Sequence, residues 1–379
     1  MDGAKAALQA ADRALAAAHL EEAELALVFA GARHDADDFQ SVLSTVAETT
    51  KAGALMGCST TGIITATREL ENANAVAVLV LSAGGKLPRP IIESGVADDP
   101  RGAGVRLGRA ALAQLGGVVE GATLVVLVDP NQLDATAFLS GVAEGAPGLK
   151  VAGAGAAGRD DSARVFVGTT AHGDAAVALA LPATVQPTTG TSHGCQGVSE
   201  PLPITAVDGN MILEIDGRSP VDVLKEILDQ PDNRPLGRLS VPLLAGIGER
   251  ICDGRSDYVV RPFMVPEGDP KSLAVPEPVR AGQTIRFTLR DAISARDDMK
   301  AMLEEQVRAR EKHPPAFGLY FNCAGRGSAL YGKSGLDPEL IHRRFGNLPM
   351  VGIESSFEIA PTCGRSQVHM LTGVLLLAG

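Results

Sequence analysis

The stretch "MGCSTTGIIT", residues 56–65, decides how the rest of the chain is read. Gly57 and Gly62 enclose its core, and apolar chain flanks it on both sides. Between the glycines lie a thiol and three hydroxyls: Cys58, Ser59, Thr60 and Thr61. We interpret the stretch as a loop between strands, since glycine permits a tight turn with positive φ and close packing.

The same order of elements recurs along the chain: helix, strand, helix, strand, glycine-containing loop and two further strands. One unit covers about residues 3–83, a second 99–182 and a third 291–378, with a degraded fourth copy at 199–290. Strands that follow each other without helices imply antiparallel hairpins mixed with crossovers. We therefore predict an α+β fold of mixed and antiparallel sheets layered with helices, built from internally repeated α-β-α-β-β-β units.

A linker rich in Pro, Gly, Ser and Thr, residues 181–203, separates the second and fourth units. Linkers of this composition are typical of domain boundaries. The sequence thus predicts an amino-terminal domain of two units, residues 1–195, and a carboxy-terminal domain, residues 196–379.

The second copy of the opening stretch is "GAGAAG", residues 153–158. It fits the dinucleotide-binding pattern, but the chain that follows reads as a strand and not as the required helix. Because Ala and Gly suffice there, the polar groups of the first copy exceed what the backbone needs. The third copy, "GIESSFEIAP" at 352–361, is polar again. These residues either line a ligand site or satisfy local backbone groups, as Ser and Thr do in turns.

Composition excludes several classes of function. The net charge is −11, from 34 basic and 45 acidic residues, and aromatic residues make up 3%. Both features argue against binding to nucleic acid or to anionic membranes. The first residues do not resemble a signal peptide, and the apolar runs are too short to span a bilayer. Five scattered cysteines without a C-x-x-C motif fit reduced thiols in the cytoplasm, and we predict neither a cofactor nor a metal site.

Two arginines stand out. Arg326, in "NCAGRG" at 322–327, offers a planar fork suited to a carboxylate, or else caps carbonyls or pairs with Glu358. Arg261 lies within the apolar run "YVVRPF" and therefore needs an internal ion pair or a ligand.

Several segments together are similar to the FIST family. "GCSTTG" resembles a signature of the FIST N-terminal domain, while "YFNCAGRGSALYG" (320–332) and "LPMVGIESSFEIAP" (348–361) resemble segments of the FIST C-terminal domain. The resemblance covers about residues 25–195 and 199–378 and implies an intracellular sensory module that binds a small ligand such as an amino acid. Ile63 stands where relatives usually carry Glu, and Phe357 where Gly is usual.

We therefore predict a cytoplasmic signal-transduction protein that binds a small metabolite, such as an amino acid or small carboxylate, in a pocket lined by loops of both domains and passes the signal to a protein partner. The predicted ligand-binding residues are Cys58, Ser59, Thr60, Thr61, Asn322, Cys323, Arg326, Ser355, Ser356, Glu358 and Arg261. Two alternatives stay open. One is a hydrolase or acyl-transfer enzyme that uses Cys323 or Cys58 as nucleophile. The other is a protein-interaction scaffold with a vestigial pocket, which Ile63 and Phe357 favour.

Overall fold

The protein is described by a computed structural model, which covers residues 3–31, 36–85, 87–159, 161–230, 243–251 and 257–379. Within these residues the chain forms eight α-helices and four sheets, so the predicted α+β class is confirmed. None of these helices is both long and apolar enough to cross a membrane. The helices are α1 (Gly3–Ala18), α2 (Ala36–Thr50), α3 (Pro100–Gln114), α4 (Ala135–Gly145), α5 (Pro220–Asp229), α6 (Ala292–Ala309), α7 (Gly327–Tyr331) and α8 (Leu336–Phe345).

Three of the sheets are mixed. The first has the order β10 (Thr170–His172), β9 (Val165–Val167), β2 (Ala54–Thr60), β1 (Leu25–Gly31) and β5 (Val76–Leu81). The second has the order β23 (Arg365–His369), β22 (Glu358–Thr362), β8 (Lys150–Gly155), β7 (Thr123–Val128), β11 (Ala175–Leu181) and β6 (Ile91–Ser94). The third has the order β12 (Thr188–Ser192), β24 (Gly373–Ala378), β20 (Phe317–Cys323), β21 (Met350–Ser355), β3 (Gly62–Thr65) and β4 (Glu69–Leu70).

Each mixed sheet contains one parallel pair flanked by an antiparallel strand and by a hairpin from elsewhere in the chain. The parallel pairs are β1 with β2, β7 with β8, and β20 with β21. The borrowed hairpins close a cycle: β9–β10 joins the first sheet, β22–β23 the second and β3–β4 the third. The internal repeat itself stays a prediction. So does the boundary at 195/196, which the β21–β3, β8–β22 and β12–β24 pairs cross.

The fourth sheet is built only from antiparallel pairs. Its order is β17 (Val259–Arg261), β16 (Leu243–Gly248), β19 (Thr284–Arg290), β14 (Leu202–Asp208), β15 (Met211–Ile215) and β18 (Leu273–Ala274), with β13 (Cys195–Gly197) also paired to β19. The region read as a degraded fourth copy therefore contains the expected strands but, in its described residues, no parallel pair of the kind the other sheets share.

The three mixed sheets share one interior, and helices cover their outer faces. Along β1, Leu25, Leu27 and Phe29 enter a buried cluster that also holds residues of the second and third sheets. The alternate residues Ala26 and Val28 pack instead in the cluster that contains α2. Successive side chains of a strand point to opposite faces, so a strand covered on both faces must be apolar throughout.

The opening stretch is not the loop that the sequence predicted. Residues 56–60 belong to β2 and residues 62–65 to β3, so the chain passes from the first sheet to the third with only Thr61 outside a strand. Neither Gly57 nor Gly62 has a positive φ. A Cβ on Gly57 would instead lie 1.7 Å from the carbonyl oxygen of Val28 on the parallel neighbour. Gly57 is thus required for close approach of two strands, not for a turn.

Candidate functional site

The polar segment of the first unit contacts that of the third unit where the chain passes from β2 to β3, which pairs with β21. The Thr60 hydroxyl lies 2.7 Å from the carbonyl oxygens of both Gly62 and Glu354, and it accepts from the Gly62 amide at 3.2 Å. Thr61, which is half-buried, contacts the Glu354 carboxylate at 3.4 Å. The two segments are therefore in contact, but Thr60 is buried and its hydroxyl is committed to the backbone.

Ser59 joins the first unit to the second. Its buried hydroxyl donates to the carbonyl of Ala157 at 2.8 Å and accepts from the amide of Arg164 at 2.9 Å. The backbone of Ser59 exchanges two further hydrogen bonds with the same residues. This geometry is that of a structural clamp on "GAGAAG", the copy that carries no hydroxyl of its own.

Burial changes the chemistry of both predicted cysteines. Cys58 is fully buried in the apolar interior, which raises the pKa of its thiol. Burial also raises the pKa of the Cys323 thiol, and the charge of Glu358 raises it further. A nucleophilic cysteine needs a lowered pKa, so the environment of both thiols opposes the cysteine-enzyme alternative.

Arg326 is engaged by the protein itself. Its buried guanidinium donates to both carboxylate oxygens of Asp337, at 2.9 and 3.2 Å, and to the Ser192 carbonyl at 3.2 Å. A further bond of 2.8 Å reaches the Tyr331 hydroxyl. Burial alone would lower the pKa of Arg326, but the Asp337 carboxylate raises it well above its ordinary value. Arg326 thus has the carbonyl contact that its structural interpretation required, while its carboxylate partner is Asp337 and not Glu358.

Ser355 and Glu358 form a second buried group beside the same strand ends. The Ser355 hydroxyl lies 3.0 Å from the Asn322 carbonyl oxygen and 2.9 Å from Glu358 Oε1. The Thr372 amide donates to the other oxygen of Glu358 at 3.2 Å. Burial raises the pKa of Glu358 to about 8, although these hydrogen bonds oppose the shift. Ser356, in contrast, is exposed.

Arg261 lies away from the other predicted residues, on the wall of a cavity of about 720 Å³. The cavity is enclosed by α4 and β8 on one side, by the β22–β23 turn on another, and by the fourth sheet on a third. Arg261 donates to the carbonyls of Val260 and Val368, and its Nε lies 2.7 Å from Glu277 Oε1. The other predicted ligand residues do not line this cavity.

Basic groups outnumber acidic groups on the cavity wall. Four basic side chains are present, and two acidic ones: Lys150, Arg261, Arg280 and Arg365, with Glu249 and Glu277. Arg280 pairs with Glu249, as Arg261 does with Glu277. Lys150 and Arg365 are exposed and form no salt bridge with any described residue. Sequence reasoning missed them because both stand next to strand ends with no distinctive motif around them.

The fold defines the class first: an α+β protein whose two sequence halves share sheets and enclose a cavity between them. Similarity to known protein families defines it further, since residues 24–218 match the FIST N domain and residues 220–361 match the FIST C domain. The chain therefore belongs to the FIST family, whose domains are sensory and signal-transduction domains, and the resemblance seen in the sequence is confirmed.

Relatives align over nearly the whole chain. An uncharacterized protein of Mycobacterium tuberculosis is 29% identical over 377 residues, which is 96% of this chain and 94% of the relative. An uncharacterized protein of Mycobacterium bovis is 28% identical over 384 residues, 99% of this chain and 96% of the relative. This chain is thus similar to them along its full described architecture.

Proposed function

We propose that this protein is a sensor that binds a small anionic metabolite, an amino acid or a small carboxylate, in the cavity between α4, the β22–β23 turn and the fourth sheet. The observation that carries the proposal is charge. The chain has a net charge of −11, yet basic side chains on the cavity wall outnumber acidic ones by four to two. A local excess of one sign inside a concave site attracts a ligand of the opposite sign.

Lys150 and Arg365, which have no ion pair with any described residue, supply the recognition chemistry. Arg365 presents a planar fork that can bind a carboxylate through two parallel hydrogen bonds, and Lys150 adds a second charge. Arg261, held by Glu277 and two carbonyls, shapes the wall. Leu139, Ile247 and neighbouring aliphatic residues line the rest and suit an apolar side chain on the ligand.

The cavity also gives the signal a route through the molecule. Its walls come from the part of the chain that matches the FIST N domain and from the part that matches the FIST C domain. A ligand that bridges these walls stabilises one arrangement of them, which a partner protein in the cytoplasm would recognise.

The test is a thermal-shift and calorimetric screen of the twenty amino acids and of small mono- and dicarboxylates. We expect a ligand that raises Tm in the wild type and loses at least about tenfold in affinity in Arg365→Ala and in Lys150→Ala, each of which removes a charge-assisted hydrogen bond. Arg109→Ala removes an exposed arginine from α3, outside the cavity, and serves as the matched control. Absence of any anionic ligand, or equal affinity in all three variants, would overturn the proposal.

A further inference from the structure

Three carboxylates that no sequence motif connects come together at the edge of the third sheet. One side-chain oxygen from each of Glu69, Glu71 and Glu354 lies within 4.8 Å of the other two. Glu354 pairs with Gly62 across β21 and β3, and Glu69 pairs with Ile64 across β3 and β4. Because Gly62 and Ile64 are alternate residues of one strand, Glu354 and Glu69 share a face of the sheet.

These acids have no ion-pair partner in the part of the chain that the structure describes. Among the described residues, none of the three forms a salt bridge with a Lys, Arg or His side chain. They accept hydrogen bonds from neutral groups: the Gly335 amide to Glu69, the amide and hydroxyl of Ser328 to Glu71, and the Thr61 hydroxyl to Glu354. Burial raises the pKa of Glu69 to about 6. Burial and the charges of the other two glutamates raise the pKa of Glu354 to about 7.

A buried amide beside the acids is only half used. Asn322 is fully buried and pairs in register with Glu354 on the adjacent parallel strand, so its side chain lies on the same face. Its Nδ2 donates to Glu69 Oε1 at 3.3 Å, so the amide lies at the cluster, and a half-turn about the Cβ–Cγ bond would present Oδ1, in place of Nδ2, to a bound cation. Its Oδ1 is buried and has no hydrogen-bond partner among the described residues. Buried polar atoms without a partner are rare and require a specific cause, such as a bound water or an ion.

Glycines leave the space that the carboxylates occupy. A Cβ on Gly62 would lie 2.2 Å from the Glu354 carboxyl carbon. A Cβ on Gly327 would lie 2.4 Å from Glu71 Oε1 and 3.4 Å from Glu69 Oε1. Gly62, which closes the polar core of the opening stretch, therefore leaves room for Glu354 in the cluster.

We propose that Glu69, Glu71, Glu354 and Asn322 bind a divalent cation of the class that prefers oxygen ligands, best represented by Ca²⁺. Carboxylate and amide oxygens are the ligands of such ions, whereas Zn²⁺ favours nitrogen and sulfur. Ca²⁺ accepts oxygen ligands in a flexible geometry, whereas Mg²⁺ demands a near-ideal octahedron, so Ca²⁺ is the first ion to test. The ion links Glu69 and Glu71, at the end of the β3–β4 hairpin, to Glu354 on β21 and Asn322 on β20. None of its four ligands lines the cavity of the proposed sensor, so the two sites are independent.

The experiment uses the full chain after treatment with a chelator, with Ca²⁺ as the probe and Mg²⁺ and Zn²⁺ as further arms, followed by calorimetry and by Tm. We expect one Ca²⁺ per chain and a rise in Tm for the wild type. Glu354→Gln loses at least about tenfold in affinity, because it removes one charged ligand. In chelator the same variant has a Tm equal to or above that of the wild type, because it removes a carboxylate that is repelled by its neighbours.

This reversal between the two conditions identifies ligand loss and not misfolding. Glu120→Gln, which removes an exposed acid elsewhere, serves as the matched control and responds to Ca²⁺ as the wild type does. The proposal is overturned if neither Ca²⁺ nor Mg²⁺ binds, if Glu354→Gln responds as the wild type does, or if Zn²⁺ alone binds.

Discussion

Removal of the Arg326 guanidinium, as in Arg326→Met, is expected to cost about 3–5 kcal/mol of unfolding free energy, the range for a buried ion pair that loses one partner. The side chains of Arg326 and Asp337 are 0% and 1% exposed, so no solvent replaces the lost charge. Asp337 keeps the hydroxyls of Tyr320 and Tyr331, each at 2.8 Å, but they do not neutralise it. The exposed pair of Arg101 and Glu144 provides the contrast, since Arg101→Met is expected to cost no more than about 1 kcal/mol.

The assay is urea denaturation of Arg326→Met, of Asp337→Leu and of the variant that carries both substitutions, which together form a double-mutant cycle. The double variant should be more stable than the sum of its parts predicts, because it leaves no unpaired buried charge. If Arg326→Met falls within 1 kcal/mol of the wild type, the reasoning about this pair is refuted.

The pH dependence gives this prediction a sign. Burial alone would raise the pKa of Asp337, but Arg326 and the hydrogen bonds around it hold the native pKa below its ordinary value. The stability this provides is present above the unfolded pKa of about 3.9 and is lost as pH falls through the native pKa. In Arg326→Met the native pKa of Asp337 lies above the unfolded one, so the Asp337 contribution instead decreases as pH rises from about 4.

Three further predictions follow from single contacts. Ser59→Ala should cost about 1–3 kcal/mol in urea denaturation, because the half-buried Arg164 amide loses its acceptor and the Ala157 carbonyl its donor, whereas exposed Ser356→Ala should stay within about 0.5 kcal/mol; equal effects would contradict the clamp. Glu358, with its native pKa raised to about 8, makes the wild type less stable as pH rises from 5 to 8, and Glu358→Gln should make the decline of Tm across that window shallower; an unchanged slope would exclude this role. Alkylation of the native protein, followed by mass spectrometry, should modify exposed Cys363 long before buried Cys58, and comparable rates would contradict the burial of Cys58.

The sequence was sufficient to locate most elements of the mixed sheets. "LALVFA" predicted a strand at 25–30, and β1 spans Leu25–Gly31; "DATAFLSGVAEG" predicted a helix at 134–145, and α4 spans Ala135–Gly145. Apolar runs and capping residues such as Asp134 act locally, so they are legible in one chain.

Pairing between distant segments could not be read in the same way. The polar stretch at 56–65 was interpreted as a loop because nothing local shows that a strand changes sheets within two residues. The consequences include the meeting of Glu69 and Glu354, and the partner of Arg326, which is Asp337 on the following helix and not the sequence-suggested Glu358. The cations of the cavity were hidden for the same reason, since three separate parts of the chain form its walls.

The cyclic exchange of hairpins has a consequence for biosynthesis. When the ribosome has released β8, the strand that will cover its edge, β22, has still to be translated, and the β3–β4 hairpin waits even longer for β21. A nascent chain at that stage carries open strand edges, which are templates for association with other chains. Maturation of this protein is therefore tied to translation of residues 350–378, and termination before them yields a substrate for chaperones and proteases instead of a half-sized sensor.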